Sequence, residues 1–178
     1  KKSLLTAQEK CFEKGLTTVA DAMLENKMIH LIDDLQKEGK LKMRIYGMAT
    51  PSEENLAEYL LDSAYKTDRL HIGAIKFFAV GALGSRGAAL KKSYSDLKSH
   101  KGAFITPKDS LEKLAYRLAT TPFQMNTHPI GDAANKAVLE AYNKALVFST
   151  DPRWRVEHAQ IIDTTDIKLF NRKIIPSV

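Results

Sequence analysis

Apolar residues fall into short runs that alternate with longer segments of helical spacing. Leu16-Thr17-Thr18-Val19-Ala20 is short and β-branched after Gly15, and reads as a strand. Met28, Leu31, Ile32 and Leu35 follow at helical spacing, and Gly39 stops that helix. Leu41–Tyr46 is a second strand. Thr50-Pro51-Ser52-Glu53 opens the next helix as a capping box, with Thr50 at the cap, Pro51 in the first turn and Glu53 reaching back. Leu56, Leu60 and Leu61 give that helix its apolar stripe. Ile72–Val80 is a strongly apolar strand. A Gly-rich loop and an irregular stretch run from Gly81 to about Ile105.

Thr106-Pro107-Lys108-Asp109 repeats the cap-plus-proline signal and starts a helix through Leu111, Leu114, Ala115 and Leu118. Phe123–His128 is a strand, and Asp132 begins an alanine-rich helix through Val138, Leu139, Tyr142 and Leu146. Trp154–His158 is another strand. A short helix around Asp166–Arg172 leads into Lys173–Val178, the start of a sixth strand. Strands and helices alternating at these lengths predict βαβ units and a parallel sheet in one α/β domain over residues 1–178.

Neither the G-x-G-x-x-G of a dinucleotide binder nor a P-loop is present. The polar residues His128 and His158 instead end two successive strands, where barrel enzymes carry their chemistry. A closed barrel takes about 250 residues, so 178 residues with six strands predict an incomplete (β/α)8 TIM-type barrel. The chain starts Lys1-Lys2-Ser3 and stops within a strand, so both ends read as cut. The compartment is therefore left open, with the cytoplasm favoured and export not excluded.

Hydrophobic residues at 44% and charged residues at 27% exclude a fibrous or disordered chain. No apolar run reaches the roughly 18 residues of a membrane helix, and a single Cys11 excludes an internal disulfide. The net charge of +6 is spread over helices that also carry Glu and Asp, which reads as a solvated surface rather than a nucleic-acid site.

Lys76 lies inside the Ile72–Val80 strand, on one face with Phe78 and Val80. A buried ammonium is costly, and desolvation favours the neutral amine. That amine can attack a carbonyl or take up CO2 as an anionic carbamate able to bridge two cations; the competing reading is a strand-end lysine snorkelling to solvent. Thr127-His128 and Glu157-His158 both place an imidazole at a strand end, suited to ligating Zn2+ or simply packed. His30, His71 and His100 show no such pairing. Ser85 and Arg86, in the loop after the Lys76 strand, are candidates to hold a substrate carboxylate or carbonyl, or else form a solvated turn.

Four segments, in order, resemble amidohydrolase family 3, the branch of the metal-dependent amidohydrolase superfamily that includes N-substituted formamide deformylase. They are Gly15-Leu16-Thr17-Thr18-Val19-Ala20-Asp21, Ile75–Arg86, Asn126-Thr127-His128-Pro129-Ile130-Gly131-Asp132-Ala133-Ala134-Asn135 and Arg155-Val156-Glu157-His158-Ala159-Gln160. The resemblance implies a metal-bearing (β/α)8 barrel of which this chain spans about the second to the seventh strand. On that resemblance, a β-rich companion domain and the barrel ends are expected to lie outside this chain. Lys76 then matches the carboxylated lysine that bridges the metals, and His128 and His158 match histidine ligands. The family also needs a His-x-His pair and a late Asp, and no two of the five histidines here have that spacing. Val80 stands where the family usually has Asp, and Pro129 follows His128 where it usually has Ala.

The resemblance implies hydrolysis of C–N bonds in a small amide-type substrate with one or two divalent cations, Zn2+ foremost. This chain alone is expected to be inactive and to bind metal weakly or not at all. It is also expected to self-associate through exposed barrel edges. Two rivals remain: a Schiff-base lyase using Lys76, which borohydride would trap, and a non-catalytic basic α/β module with salt-dependent nucleic-acid affinity.

Overall fold

The computed structural model describes residues 1–59 and 64–178, and they divide into two compact units, Lys1–Lys76 and Phe77–Val178. In the first, helix α1 (Lys2–Glu13) precedes β1 (Thr18–Leu24), α2 (Asn26–Lys37), β2 (Arg44–Ala49), α3 (Glu53–Tyr59), β3 (Tyr65–Lys66) and β4 (Leu70–Phe78), whose last two residues belong to the second unit. β2 pairs in parallel with both β1 and β4, and the two-residue β3 adds antiparallel to β4.

Helix α1 is absent from the periodicity reading for a physical reason: none of its side chains is buried, so it carries no deep apolar stripe. It is tied down by Gln8, whose amide donates to the Lys40 carbonyl at 3.2 Å and whose oxygen accepts from Met43 N–H at 3.0 Å and from Lys42 N–H. α2 buries Ile29, Ile32 and Leu35, while Met28 lies at its exposed margin. The helix ends where Gly39 takes φ +69°, a conformation cheap only for glycine.

β2 begins three residues later than the apolar run suggests, because Leu41 and Met43 are buried in the connection before it. The cap of α3 is also corrected. Ser52, not Thr50, accepts from the Asn55 N–H at 3.3 Å, and Thr50 Oγ1 accepts instead from the Asn55 side-chain amide at 2.7 Å. Leu60 and Leu61 lie outside the described residues.

The second unit contains α4 (Lys108–Leu118), β5 (Gln124–His128), α5 (Asp132–Ala145), β6 (Trp154–Glu157), a 3-10 helix (Thr164–Leu169) and β7 (Ile174–Ser177). β6 lies between β5 and β7 and pairs in parallel with both. The parallel α/β reading is borne out. Thr106 does not cap α4: its hydroxyl donates to the Phe78 carbonyl at 2.7 Å.

One face of this sheet is covered by helix α5. Tyr142, fully buried, donates its hydroxyl to the Met125 carbonyl at 2.8 Å and lies 2.7 Å from Thr127 Oγ1. Desolvation by that burial holds its phenol far above the ordinary range, against the lowering effect of Thr127. Tyr142 also packs edge-on against Trp154 at 4.8 Å, and Trp154 Nε1 donates to the Phe123 carbonyl at 3.1 Å. Strand alternation therefore sends Asn126, His128, Arg155 and Glu157 to the opposite face.

Residues 81–105 lack regular structure but are well anchored. Leu90 N–H donates to the Lys101 carbonyl at 2.7 Å, Tyr94 N–H to the His100 carbonyl at 2.9 Å, and Ile105 N–H to the Ala79 carbonyl at 2.8 Å. The Tyr94 hydroxyl donates to the Ala88 carbonyl at 2.9 Å. Lys91 N–H donates to Asp132 Oδ1 at 2.8 Å, and its ammonium reaches Asp163 at 2.7 Å and Asp166 at 2.5 Å.

Candidate functional site

β5 and β6 run in parallel with Asn126 opposite Arg155 and Thr127 opposite Val156, so both deliver their last residues at the same sheet edge. His128 ends β5, and His158 follows β6 directly. The two imidazoles meet edge to face with ring centres 4.6 Å apart and planes at 72°. Two imidazoles on one tetrahedral Zn2+, with Zn–N bonds of about 2.0–2.1 Å, bring their ring centres to roughly 5 Å. The pair thus fits part of a metal's donor set. Phe78 packs against His128 at 5.1 Å, forming the apolar wall behind that ring.

The backbone is shaped to make this meeting possible. His158 adopts φ 69° and Ala159 φ 40°, two successive residues in the left-handed region that non-glycine residues avoid. The His158 N–H donates to the Ser177 carbonyl on β7 at 2.8 Å, which holds the strained turn. On the far side, Ala79 N–H donates to the His128 carbonyl at 3.1 Å.

Two polar clusters support the pair. Arg155 Nη2 donates to Glu157 Oε2 at 3.1 Å and to Ser177 Oγ at 2.7 Å, and its Nε lies 2.8 Å from Glu157 Oε1. Asn135, fully buried on α5, places its amide nitrogen 3.0–3.2 Å from the carbonyls of Pro129, Ile130 and Gly131, in the turn that follows His128, and of Ile161, beyond His158. The sequence pattern names neither cluster as functional. Their only signal is the polar content of the Asn126–Asn135 and Arg155–Gln160 segments.

Lys76 lies in β4 within the first unit, just past the Ala49–Ile75 pairing. It is 5% exposed, so its side chain is buried rather than extended into solvent. In the same unit Asp21 on β1 has its carboxyl pushed above the ordinary range by desolvation, opposed in part by a hydrogen bond from the Ala22 backbone.

The remaining candidates are engaged elsewhere. Ser85 donates its hydroxyl to the Ala82 carbonyl at 3.2 Å. Arg86, at φ 57°, donates from Nη2 to Asp96 at 2.8 Å and from Nε to the same oxygen at 3.1 Å; both side chains are well exposed. His30 pairs with Glu58 at 3.2 Å. His71 meets Tyr46 edge to face with ring centres 5.2 Å apart and is held below the ordinary imidazole range by burial and by Lys66. His100 contacts the Arg86 carbonyl at 2.9 Å. Among the described residues no three His, Cys, Asp or Glu side chains gather into a metal cluster, and no helix is long and apolar enough to cross a membrane.

The chain belongs to the amidohydrolase family, whose family model matches residues 1–175. It is 24% identical over 174 residues to Protein LONG AFTER FAR-RED 3 of Arabidopsis thaliana, an alignment covering 90% of this chain and 30% of that protein. It is 27% identical over 160 residues to the N-substituted formamide deformylase of Arthrobacter pascens, covering 84% of this chain and 29% of the relative.

Among solved structures it is similar to an uncharacterized metal-dependent hydrolase from Pyrococcus horikoshii OT3. The TM-score is 0.87 and the identity 26%, over 98% of this chain and 35% of that one. The incomplete-barrel expectation agrees with that likeness. The chain spans about a third of the length of these relatives.

Proposed function

We propose that this chain is the metal-holding part of a hydrolase that cleaves C–N bonds in small amide-type molecules. The observation that carries the reading is the His128–His158 pair, brought edge to face at 4.6 Å from adjacent parallel strands by a strained turn after β6. The family assignment and the likeness to the metal-dependent hydrolase of Pyrococcus horikoshii support it. His128 and His158 would hold a divalent cation, one or two Zn2+ ions in the whole protein. When bound, such an ion lowers the pKa of water and polarises a carbonyl.

The chain's own residues have definable parts. Lys76, buried in β4, would add its ε-nitrogen as the free amine to CO2, forming an N–C bond and releasing one proton, to give a carbamate oxygen donor. Phe78 shields one side of the His128 ring from water. Asn135 fixes the turn after His128, and Arg155 with Ser177 fixes the end of β6. Ser85 and Arg86 would contact substrate after Arg86 exchanges Asp96 for a substrate carboxylate or carbonyl, a swap between exposed partners of similar chemistry.

Without a His-x-His pair, this chain alone is expected to be inactive. The outer edges of β1 and β7 pair with no strand among the described residues, and Ile175 on β7 is 38% exposed, so we also propose self-association through these edges.

The test is a Zn2+ titration by calorimetry with amide-hydrolysis assays on the same sample. With two imidazoles present, weak Zn2+ binding is expected from this chain alone, abolished by either His128→Ala or His158→Ala and accompanied by no turnover. Binding indifferent to both substitutions refutes the site. Turnover by this chain alone refutes its inactivity. A strictly monomeric particle in sedimentation refutes the edge association.

A further inference from the structure

Asn126 lies in the middle of β5 with 0% exposure. Neither its amide nitrogen nor its carbonyl oxygen has a hydrogen-bond partner among the described residues. A carboxamide offers two donors and an acceptor oxygen, and leaving all of them unmet in the interior is among the more costly arrangements a side chain can adopt.

The other two fully buried asparagines leave only their side-chain oxygens without a partner among the described residues, and their amides are met. Asn135 amide hydrogens face four backbone carbonyls, and those of Asn55 face the Leu24 and Thr50 carbonyls and Thr50 Oγ1. Asn126 is also a poor strand former in a strand whose opposite face is packed by α5.

Its position suggests what meets this need. Asn126 and His128 share one face of β5, two residues and about 6.6 Å apart along the strand. Arg155, directly opposite Asn126 in register, is on that face as well, paired with the carboxylate of Glu157. A group able to satisfy a carboxamide here must both accept and donate hydrogen bonds. The oxygen ligands that complete a divalent cation's shell beyond two imidazoles have that chemistry.

We infer that Asn126 is a positioning residue of the cation site: its carboxamide orients oxygen ligands of the ion held by His128 and His158. The inference rests on the metal reading proposed above. It makes Asn126 a residue that lowers the stability of the metal-free chain and raises its affinity for the ion.

The experiment pairs Zn2+ calorimetry on the intact chain with a metal-free thermal melt, for the wild type, Asn126→Leu, Asn126→Ala and the control Tyr142→Phe. Tyr142 acts from the opposite face and sets the affinity change that lost stability alone produces. Asn126→Leu is expected to melt at or above the wild-type temperature while Zn2+ affinity falls at least tenfold. Should the Leu variant fail to fold, Asn126→Ala is expected to lose the same affinity, beyond the change seen in Tyr142→Phe. Unchanged affinity, or a loss no larger than the control's, overturns the inference while leaving the metal reading intact. A wild type whose Zn2+ binding is absent, or indifferent to His128→Ala, overturns both.

Discussion

Replacing Asn135 by alanine tests whether the turn after His128 is held by one side chain. Its amide nitrogen lies within 3.0–3.2 Å of four carbonyls, yet it has only two hydrogens to give. Two of those carbonyls have other donors: Gly131 accepts the Asn135 N–H at 2.8 Å and Ile130 accepts the Ile161 N–H at 3.0 Å. The groups orphaned by the substitution are therefore the Pro129 and Ile161 carbonyls, each worth about 1–3 kcal/mol if left buried and unpaired. The substitution also deletes Asn135 Oδ1, a buried oxygen with no partner among the described residues, which returns about as much as one orphan costs.

The net loss is about 2 kcal/mol. A chain of 178 residues unfolds with an entropy of about 0.4 kcal/mol per degree, so the melting temperature should fall by about 5 °C. Calorimetric or circular-dichroism melts measure this. A second readout is the nuclear Overhauser contact between the His128 and His158 rings, which should weaken as the turn loosens. A fall below about 1 °C with the ring contact intact would show that the turn holds itself and that the amide is incidental.

Two further substitutions probe the segment 81–105. A Cβ on Gly131 would overlap the Ala89 carbonyl, a backbone atom that no rotamer change can move aside, so Gly131→Ala should lower stability by about 1–3 kcal/mol in a melt. The Lys91 tether should respond to acid. Asp163 is held well below the usual carboxylate range, first by its bond to the Lys91 ammonium, so its contribution is present above the unfolded carboxylate pKa and lost as pH falls through its lowered value. Lys91 is raised by the same bonds, so its part is lost only as pH climbs through that raised value. Hydrogen exchange at Leu90 and Tyr94 should therefore be most protected between these limits and accelerate at strongly acid pH. Lys91→Met should remove that dependence.

What the sequence made legible follows from how far each signal reaches. The apolar runs before His128 and around Trp154, and the stripe of Val138, Leu139 and Tyr142, describe burial by one neighbouring layer, and β5, β6 and α5 stand within a residue or two of expectation. β2 starts late because Leu41 and Met43, buried in the connection before it, carry the same apolar signal as a strand. Thr50 and Ser52 are chemically equal caps flanking Pro51, and only the fold decides between them. The two histidines were visible because a polar residue followed by His at a strand end is a local pattern. Asn126, Asn135 and Arg155 were not, because the significance of a polar side chain lies in partners many residues away, or in their absence.

Strand alternation gives the second unit a division of labour that can be read residue by residue. On β5 and β6, Met125, Thr127, Trp154 and Val156 face α5, where Tyr142 and the Trp154 indole satisfy their hydrogen bonds within the core. Asn126, Arg155 and Glu157 occupy the other face with His128, and there polar groups are paired across strands or left unmet. Large-to-small changes in the first set remove packing against α5 and should act on stability first. Isosteric apolar changes in the second set remove charge or hydrogen-bonding capacity while keeping volume, so they should act on the site more than on the melt. The left-handed turn at His158 belongs to the second set: its strain is stored in the backbone, and it is the bond from His158 N–H to the Ser177 carbonyl of β7 that keeps it there. The geometry of the histidine pair therefore depends on a strand that contributes neither ring, and loosening β7 should separate the rings before it unfolds the sheet.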